Sequence, residues 1–105
     1  MAESRVVFST AGSREEASKI AKALVEERLA ACVNIIGPIQ SVYRWEGKVD
    51  KAEEFLMVVK TTSVRSAEVI SRIRELHSYD LPEAIEISIT GGSPQYLTWI
   101  AECVR

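Results

Sequence analysis

A chain of 105 residues has room for one domain with a modest core, since folding at this size removes about 60 to 70% of the unfolded chain's surface. Its 13 Lys and Arg stand against 15 Asp and Glu, for a net charge of −2 with the signs interspersed, which argues against a nucleic-acid binder with its basic patch or stripe. No apolar run approaches the roughly 20 residues of a membrane span, and the N-terminus MAESRVVFST has none of the regions of a signal peptide; the expectation is a soluble, cytoplasmic protein. Two cysteines, Cys32 and Cys103, make neither a disulfide framework nor a CxxC metal motif and are expected to be reduced.

Arg5 to Ala11 is β-branched and apolar and closes on Gly12, which predicts a first strand. Ser13 followed three residues later by Glu16 matches a capping box, in which the serine oxygen accepts from a backbone N–H and the glutamate reaches back. Ala17, Ile20, Ala21, Leu24 and Val25 then form one stripe of an amphipathic helix. A second strand starts with Ala31 to Ile36, is interrupted at Gly37-Pro38 and continues through Trp45. Proline has no N–H to give the ladder, so Pro38 predicts a bulge or an edge. Glu46-Gly47 is a hairpin turn, and the return strand runs from Lys48 to Thr62. Its Phe55 to Val59 are apolar at consecutive positions, the pattern of burial on both faces. One set of helices in so small a chain covers only one of them.

Ser63, or Thr62 before it, is placed to cap a second helix with Val64, Ala67, Ile70, Ile73, Arg74 and Leu76 as its inner face and margins, fading at His77 ahead of Pro82. Ala84 to Thr90 alternates strictly and puts three isoleucines on one face of a final core strand. Gly91-Gly92 ends it, and Ser93-Pro94 opens a terminal helix as N-cap and first-turn proline. The order βαβ, βαβ, α predicts an α+β fold of the ferredoxin-like split βαβ type: a four-stranded antiparallel sheet with two helices on one face, one domain over residues 1–105. The hairpin is longer than this fold needs and is expected to project.

The chain's single histidine, His77, falls at a helix end, where an imidazolium gains about 0.3 to 1 kcal/mol from the helix dipole. Beside Glu83 it also offers nitrogen and oxygen donors suited to Cu(II) or Zn(II). Cys32, with Asn34 on the same strand face, is a soft ligand or a small buried apolar residue. Gly91-Gly92-Ser93-Pro94 lacks the spacing of a phosphate loop, and Pro94 removes an N–H that an anion would use. Tyr43, Trp45 and Glu46 cluster at the hairpin turn, and Tyr, Trp and Arg are residue types that anchor protein interfaces. Lys60 closes an apolar strand, where a cation calls for a carboxylate or an anion, and Glu83 is a candidate partner.

Five stretches together resemble the CutA divalent-cation tolerance proteins: Leu29 to Asn34 (LAACVN), Tyr43 to Lys48 (YRWEGK), Lys60 to Thr62 (KTT), His77 to Glu83 (HSYDLPE) and Tyr96 to Ile100 (YLTWI). The resemblance covers essentially the whole chain. It implies a homotrimer related in architecture to the PII signalling proteins, with Trp45 and its neighbours serving assembly and clefts between subunits collecting Cys32, Lys60, His77, Tyr79 and Glu83. It implies binding of, or tolerance to, Cu(II) or another divalent metal rather than enzymatic activity, with His77, Glu83 and Cys32 as the ligands. The second reading is a PII-like sensor or scaffold whose clefts take a small anionic ligand through Lys60, Tyr79 and Glu83. Many members of that family read HPYD where this chain has Ser78, some bacterial members carry a cysteine where this chain has Ser9, and others a second histidine where Leu76 stands.

Overall fold

In the computed structural model, which describes residues 3–104, the elements run β1 (Ser4–Ala11), α1 (Arg14–Glu26), β2 (Cys32–Trp45), β3 (Lys48–Thr62), α2 (Ser66–Leu76), β4 (Ile85–Ser88) and α3 (Pro94–Cys103). The sheet order is β2-β3-β1-β4, with every neighbouring pair antiparallel. This is the ferredoxin-like arrangement expected from the order of the elements. α1 and α2 lie on one side of the sheet and press Ala17, Ile20, Leu24, Val69 and Ile73 onto Val7, Ala11, Met57 and Val59. Ile20, Leu24, Met57 and Ile73 are completely enclosed, and each contributes about 1.5–3 kcal/mol relative to exposure.

α1 starts as its sequence announces, with the Ser13 hydroxyl accepting from the Glu16 N–H at 3.1 Å. It ends in a Schellman motif: Leu29 N–H reaches Leu24 O and Arg28 N–H reaches Val25 O. Arg28 takes the left-handed position there, at φ 60, which is usually glycine's. α2 differs from expectation. Thr62 stays in β3, paired with Ser4, so the chain makes a turn closed by Arg65 N–H to Thr62 O before the helix starts at Ser66. Neither Thr62 nor Ser63 caps it, and Val64 stands exposed outside the helix. Of the expected inner face, Ile73 is buried and Ile70 and Leu76 pack at its margin, while Ser66 and Val69 join it in place of Val64, Ala67 and Arg74.

The last strand is also shorter than the alternation suggests, and its isoleucines point away from the core. Ile85 pairs with Phe8 and Ile87 with Val6, on the side opposite the helices, and both are about half exposed. Leu56 and Val58 share that side on β3. α3 opens with Ser93 and an N1 proline and packs through Ile100 and Val104 on Ala31, leaning on β1 and β3. The Arg65 Nε donates to Val104 O at 3.0 Å and ties the end of α3 to the start of α2.

β2 and β3 run on past the sheet as a two-stranded arm, and the molecule is 44 Å long against 25 Å and 22 Å across. The arm turns at Glu46 and Gly47, both at positive φ (50 and 79), as a two-residue type I′ hairpin requires. At its root a bulge separates Ile36 from Ile39, as Pro38 predicted. Gly37 is packed under Phe55 so closely that a Cβ there would run into the ring. Gly37→Ala is therefore expected to lower stability by about 1–3 kcal/mol in urea denaturation. In β1, Ser9 points into the core fully buried, with no hydrogen-bond partner for its hydroxyl among the described residues, unlike Thr61, whose hydroxyl donates to Leu29 O at 2.7 Å. Ser9→Ala removes that orphan, and the same measurement should show a gain of about 1 kcal/mol.

Candidate functional site

Three elements converge on His77. α2 ends there because the residue turns extended (φ −80, ψ 144), which swings its ring under the end of β1 and beside the start of α1. The ring is completely buried. Its Nε2 lies 2.7 Å from Thr10 O, and its Nδ1 accepts the Tyr79 N–H at 3.1 Å. A carbonyl only accepts, so Nε2 carries the proton and Nδ1 is the acceptor. Both nitrogens of this neutral tautomer are engaged.

Around the ring the loop is held from both sides. The Tyr79 ring sits 4.6 Å from the imidazole, centroid to centroid, and its hydroxyl donates to Glu54 Oε2 at 2.9 Å. Gly12 makes room for it, since a Cβ at that position would stand 3.1 Å from the phenol oxygen. Glu16 does not close the capping box. Its carboxylate accepts the Ser78 N–H at 2.8 Å instead, with His77 Nδ1 at 3.8 Å.

The charges of this cluster work against one another. Burial pushes the Tyr79 hydroxyl up to about 12, helped by its bond to Glu54. Glu54 is only 8% exposed. Glu83 arrives at the same place, and its carboxyl is pushed up, first by burial and then by the Glu54 charge. Glu16 goes the other way: burial raises it, but the hydrogen bonds from Ser78 outweigh that and hold it below the usual carboxylate range.

Cys32 and Lys60 are elsewhere. They are cross-strand partners at the other end of the open side of the sheet. The Lys60 ammonium donates to Asn34 Oδ1, and Cys32 Sγ lies 3.9 Å from the same oxygen. Among the described residues no ion pair joins Lys60 to Glu83. Glu54 and Lys60 are six positions apart on β3, about 20 Å at some 3.3 Å per residue. One chain therefore divides the anticipated residues into two groups: His77, Tyr79 and Glu83 with Glu54 and Glu16, and Cys32 with Lys60 and Asn34. Tyr43, Trp45 and Glu46 form a third, at the tip of the arm. Glu54, Thr10 and Glu16 complete the first group without having been anticipated in it. Glu54 had a signal, an acid directly before five consecutive apolar residues; Thr10 had none, because it acts through its carbonyl.

A ferredoxin-like α+β unit with a projecting arm, a bare apolar sheet side and a polar cluster at the arm's root is the class these features define. Residues 5–103 match the profile of a family described as CutA1 divalent ion tolerance protein, and the chain belongs to that family. It is 49% identical over 99 residues to the divalent-cation tolerance protein CutA of Archaeoglobus fulgidus, covering 94% of this chain and 96% of that protein. It is 44% identical over 100 residues to the chloroplastic CutA of Arabidopsis thaliana, of which it spans about half (55%). The crystal structure of CutA from Xylella fastidiosa superposes with a TM-score of 0.96 at 40% identity, over 98% of this chain and 99% of that one.

The lowered Glu16 carboxyl has a signed consequence. Stability from its charge is present above the ordinary carboxylate pKa and is lost as the pH falls through the lowered folded value. Glu16→Gln should thus be less stable than the parent at neutral pH, with the difference closing in acid; urea titrations of both proteins across that range measure it.

Proposed function

We propose that this chain serves in divalent-cation tolerance as a PII-like homotrimer that binds a divalent metal, Cu(II) in the first instance, and is not an enzyme. The observation that carries the assembly is the open side of the sheet, where Ile85, Ile87 and Ile36 stand about half exposed around half-buried Phe8, Leu56 and Val58, an apolar surface of the kind that marks association. In a closed ring of copies one end of that surface meets the other end of the next.

Within one chain the donors do not make a resident metal site. Among the described residues no three of His, Cys, Asp and Glu are grouped to hold an ion, both His77 nitrogens are engaged, and Cys32 belongs to the distant group. The metal reading therefore assigns His77 and Glu83 from one copy and Cys32 from its neighbour. Supporting it is Glu83, whose carboxyl is held up by burial and by Glu54, so that a cation arriving there would relieve both. Two free cysteines fit a reducing, cytoplasmic setting. No helix among the described residues is long and apolar enough to cross a membrane.

A second reading has its own observation. Among the described residues Lys60 faces only a neutral amide oxygen, so a small anionic ligand bound between subunits by Lys60, Tyr79 and Glu83 would give the ammonium an opposite charge.

Calorimetric titration of Cu(II) into chelator-stripped protein separates the two. Binding should weaken at least tenfold in both His77→Ala and Glu83→Gln, with the oligomer unchanged by sedimentation. Equal affinity in all three proteins would remove these ligands from the metal reading. Thermal stabilisation by anionic metabolites and not by metals would favour the second, since a ligand at 100 times its Kd adds about 2.7 kcal/mol to the native state.

A further inference from the structure

β3 belongs to two structures in succession. From Phe55 to Thr62 it is an inner strand of the sheet, paired with β1 from Ala11 to Ser4, whereas from Lys48 to Glu54 its partner among the described residues is β2 alone. The arm therefore leaves the sheet between Glu54 and Phe55. β2 has its bulge at the same level, where Ile36 pairs with Leu56 and Ile39 with Glu54. A two-stranded ribbon is marginal by itself, and a bulge bends the strand that carries it. This junction is the place for the arm to bend.

The junction is gripped from both sides. Successive residues face opposite sides of a strand, so Phe55 turns toward the helices, packed against the core, and Glu54 turns the other way. On the helix side Arg14, in the first turn of α1, holds its guanidinium 4.8 Å from the centre of the Phe55 ring and 3.3 Å from Gly37 O. On the other side the Tyr79 hydroxyl donates to Glu54 Oε2 at 2.9 Å. The two jaws differ in their footing. Arg14 stands on a helix, but Tyr79 belongs to the loop after α2, and both of its polar groups are tied to the candidate site. Its N–H goes to His77 Nδ1 at 3.1 Å, and its hydroxyl to Glu54, the carboxylate whose charge acts on Glu83.

We propose that Tyr79 is a positioning residue that ties the arm to the loop carrying His77 and Glu83: its hydroxyl holds the junction, and a divalent cation entering at His77 or Glu83 draws it off Glu54 and leaves the arm free to bend. The proposal rests on the metal reading above and adds what binding does. Both points of entry reach the same bond. A ligand on His77 Nδ1 displaces the Tyr79 N–H, and the phenol ring, 4.6 Å from the imidazole between centroids, moves with its backbone. A cation beside Glu83 competes with the phenol for Glu54, and a full charge is a stronger partner for a carboxylate than a neutral hydroxyl is. Glu54 is largely enclosed, so the bond it accepts from Tyr79 is of the stronger kind, made to a charged group with little water to replace it.

Hydrogen–deuterium exchange of the full chain, read by mass spectrometry of peptides across the junction, tests this at a concentration where sedimentation gives every variant the same assembly. Tyr79→Phe keeps the ring beside His77 and removes only the hydroxyl. Without metal it should exchange at least tenfold faster than the parent at the junction and within threefold of it in the middle of β1. Glu54→Leu, which offers the phenol no acceptor, should match Tyr79→Phe, and Glu54→Gln, which still offers one, should match the parent. Saturating Cu(II) should bring the parent up to the Tyr79→Phe rate and leave Tyr79→Phe where it was. Equal rates in Tyr79→Phe and the parent, or the same acceleration along the whole chain, overturn the grip. Cu(II) that binds by calorimetry and leaves the parent's junction unchanged overturns the coupling while the metal reading stands. Cu(II) that does not bind removes the metal reading and the coupling with it, and the calorimeter shows this before any exchange is measured.

Discussion

Two helices cannot cover both sides of a four-stranded sheet, and most of this molecule follows from that limit. α1 and α2 spend their apolar stripes on the odd-numbered residues of β1 and β3, Val7, Ala11, Met57 and Val59. The even-numbered ones, Phe8, Leu56 and Val58, are as apolar and lie on the side away from α1 and α2. β4 adds Ile85 and Ile87 to the bare side, and β2 adds Ile36. A monomer of this design keeps a second hydrophobic surface of its own making, and the arm extends it.

Against this, the polar cluster at the arm's root is a device for closing a loop. His77 ends α2, bonds to the end of β1 and receives the backbone of Tyr79, while Glu16 from α1 receives that of Ser78. A buried imidazole with both nitrogens satisfied costs little, whereas the same ring with one partner removed would leave a buried polar group unpaired. The ring therefore first has a structural task, and any ligand that takes one of its nitrogens must displace a bond already made. Glu83 carries the opposite tension, its carboxyl pushed up by burial and by the charge of Glu54.

The elements themselves were legible because each has a local cause. β-branched runs, a 3.6-residue stripe behind Ser13, a proline in mid-strand and an Asn-free but glycine-bearing turn at Glu46-Gly47 all act over a few residues. What escaped depends on distant partners. Alternation showed that Ile85 and Ile87 share a side but not which side, which is settled by pairing with Phe8 and Val6. Thr62 has the chemistry of a cap, yet pairing with Ser4 keeps it in the sheet. Of the anticipated site, His77 and Tyr79 meet directly and Glu83 comes near through Glu54; Cys32 and Lys60 pair with each other and share Asn34, because strand register places Lys60 about 20 Å from Glu54. Thr10 lies 67 positions from His77, and a backbone carbonyl leaves no mark on composition.

The bond from the Ser78 N–H to Glu16 has a bearing on how this loop can vary. Proline at position 78 has no hydrogen to donate, so a chain with HPYD here leaves the residue at position 16 without this partner, free to close its own capping box on Ser13. Positions 16 and 78, on different elements and 62 residues apart, thus behave as one unit of exchange. A loop transplanted from an HPYD sequence carries only half of its own context unless the first turn of α1 travels with it.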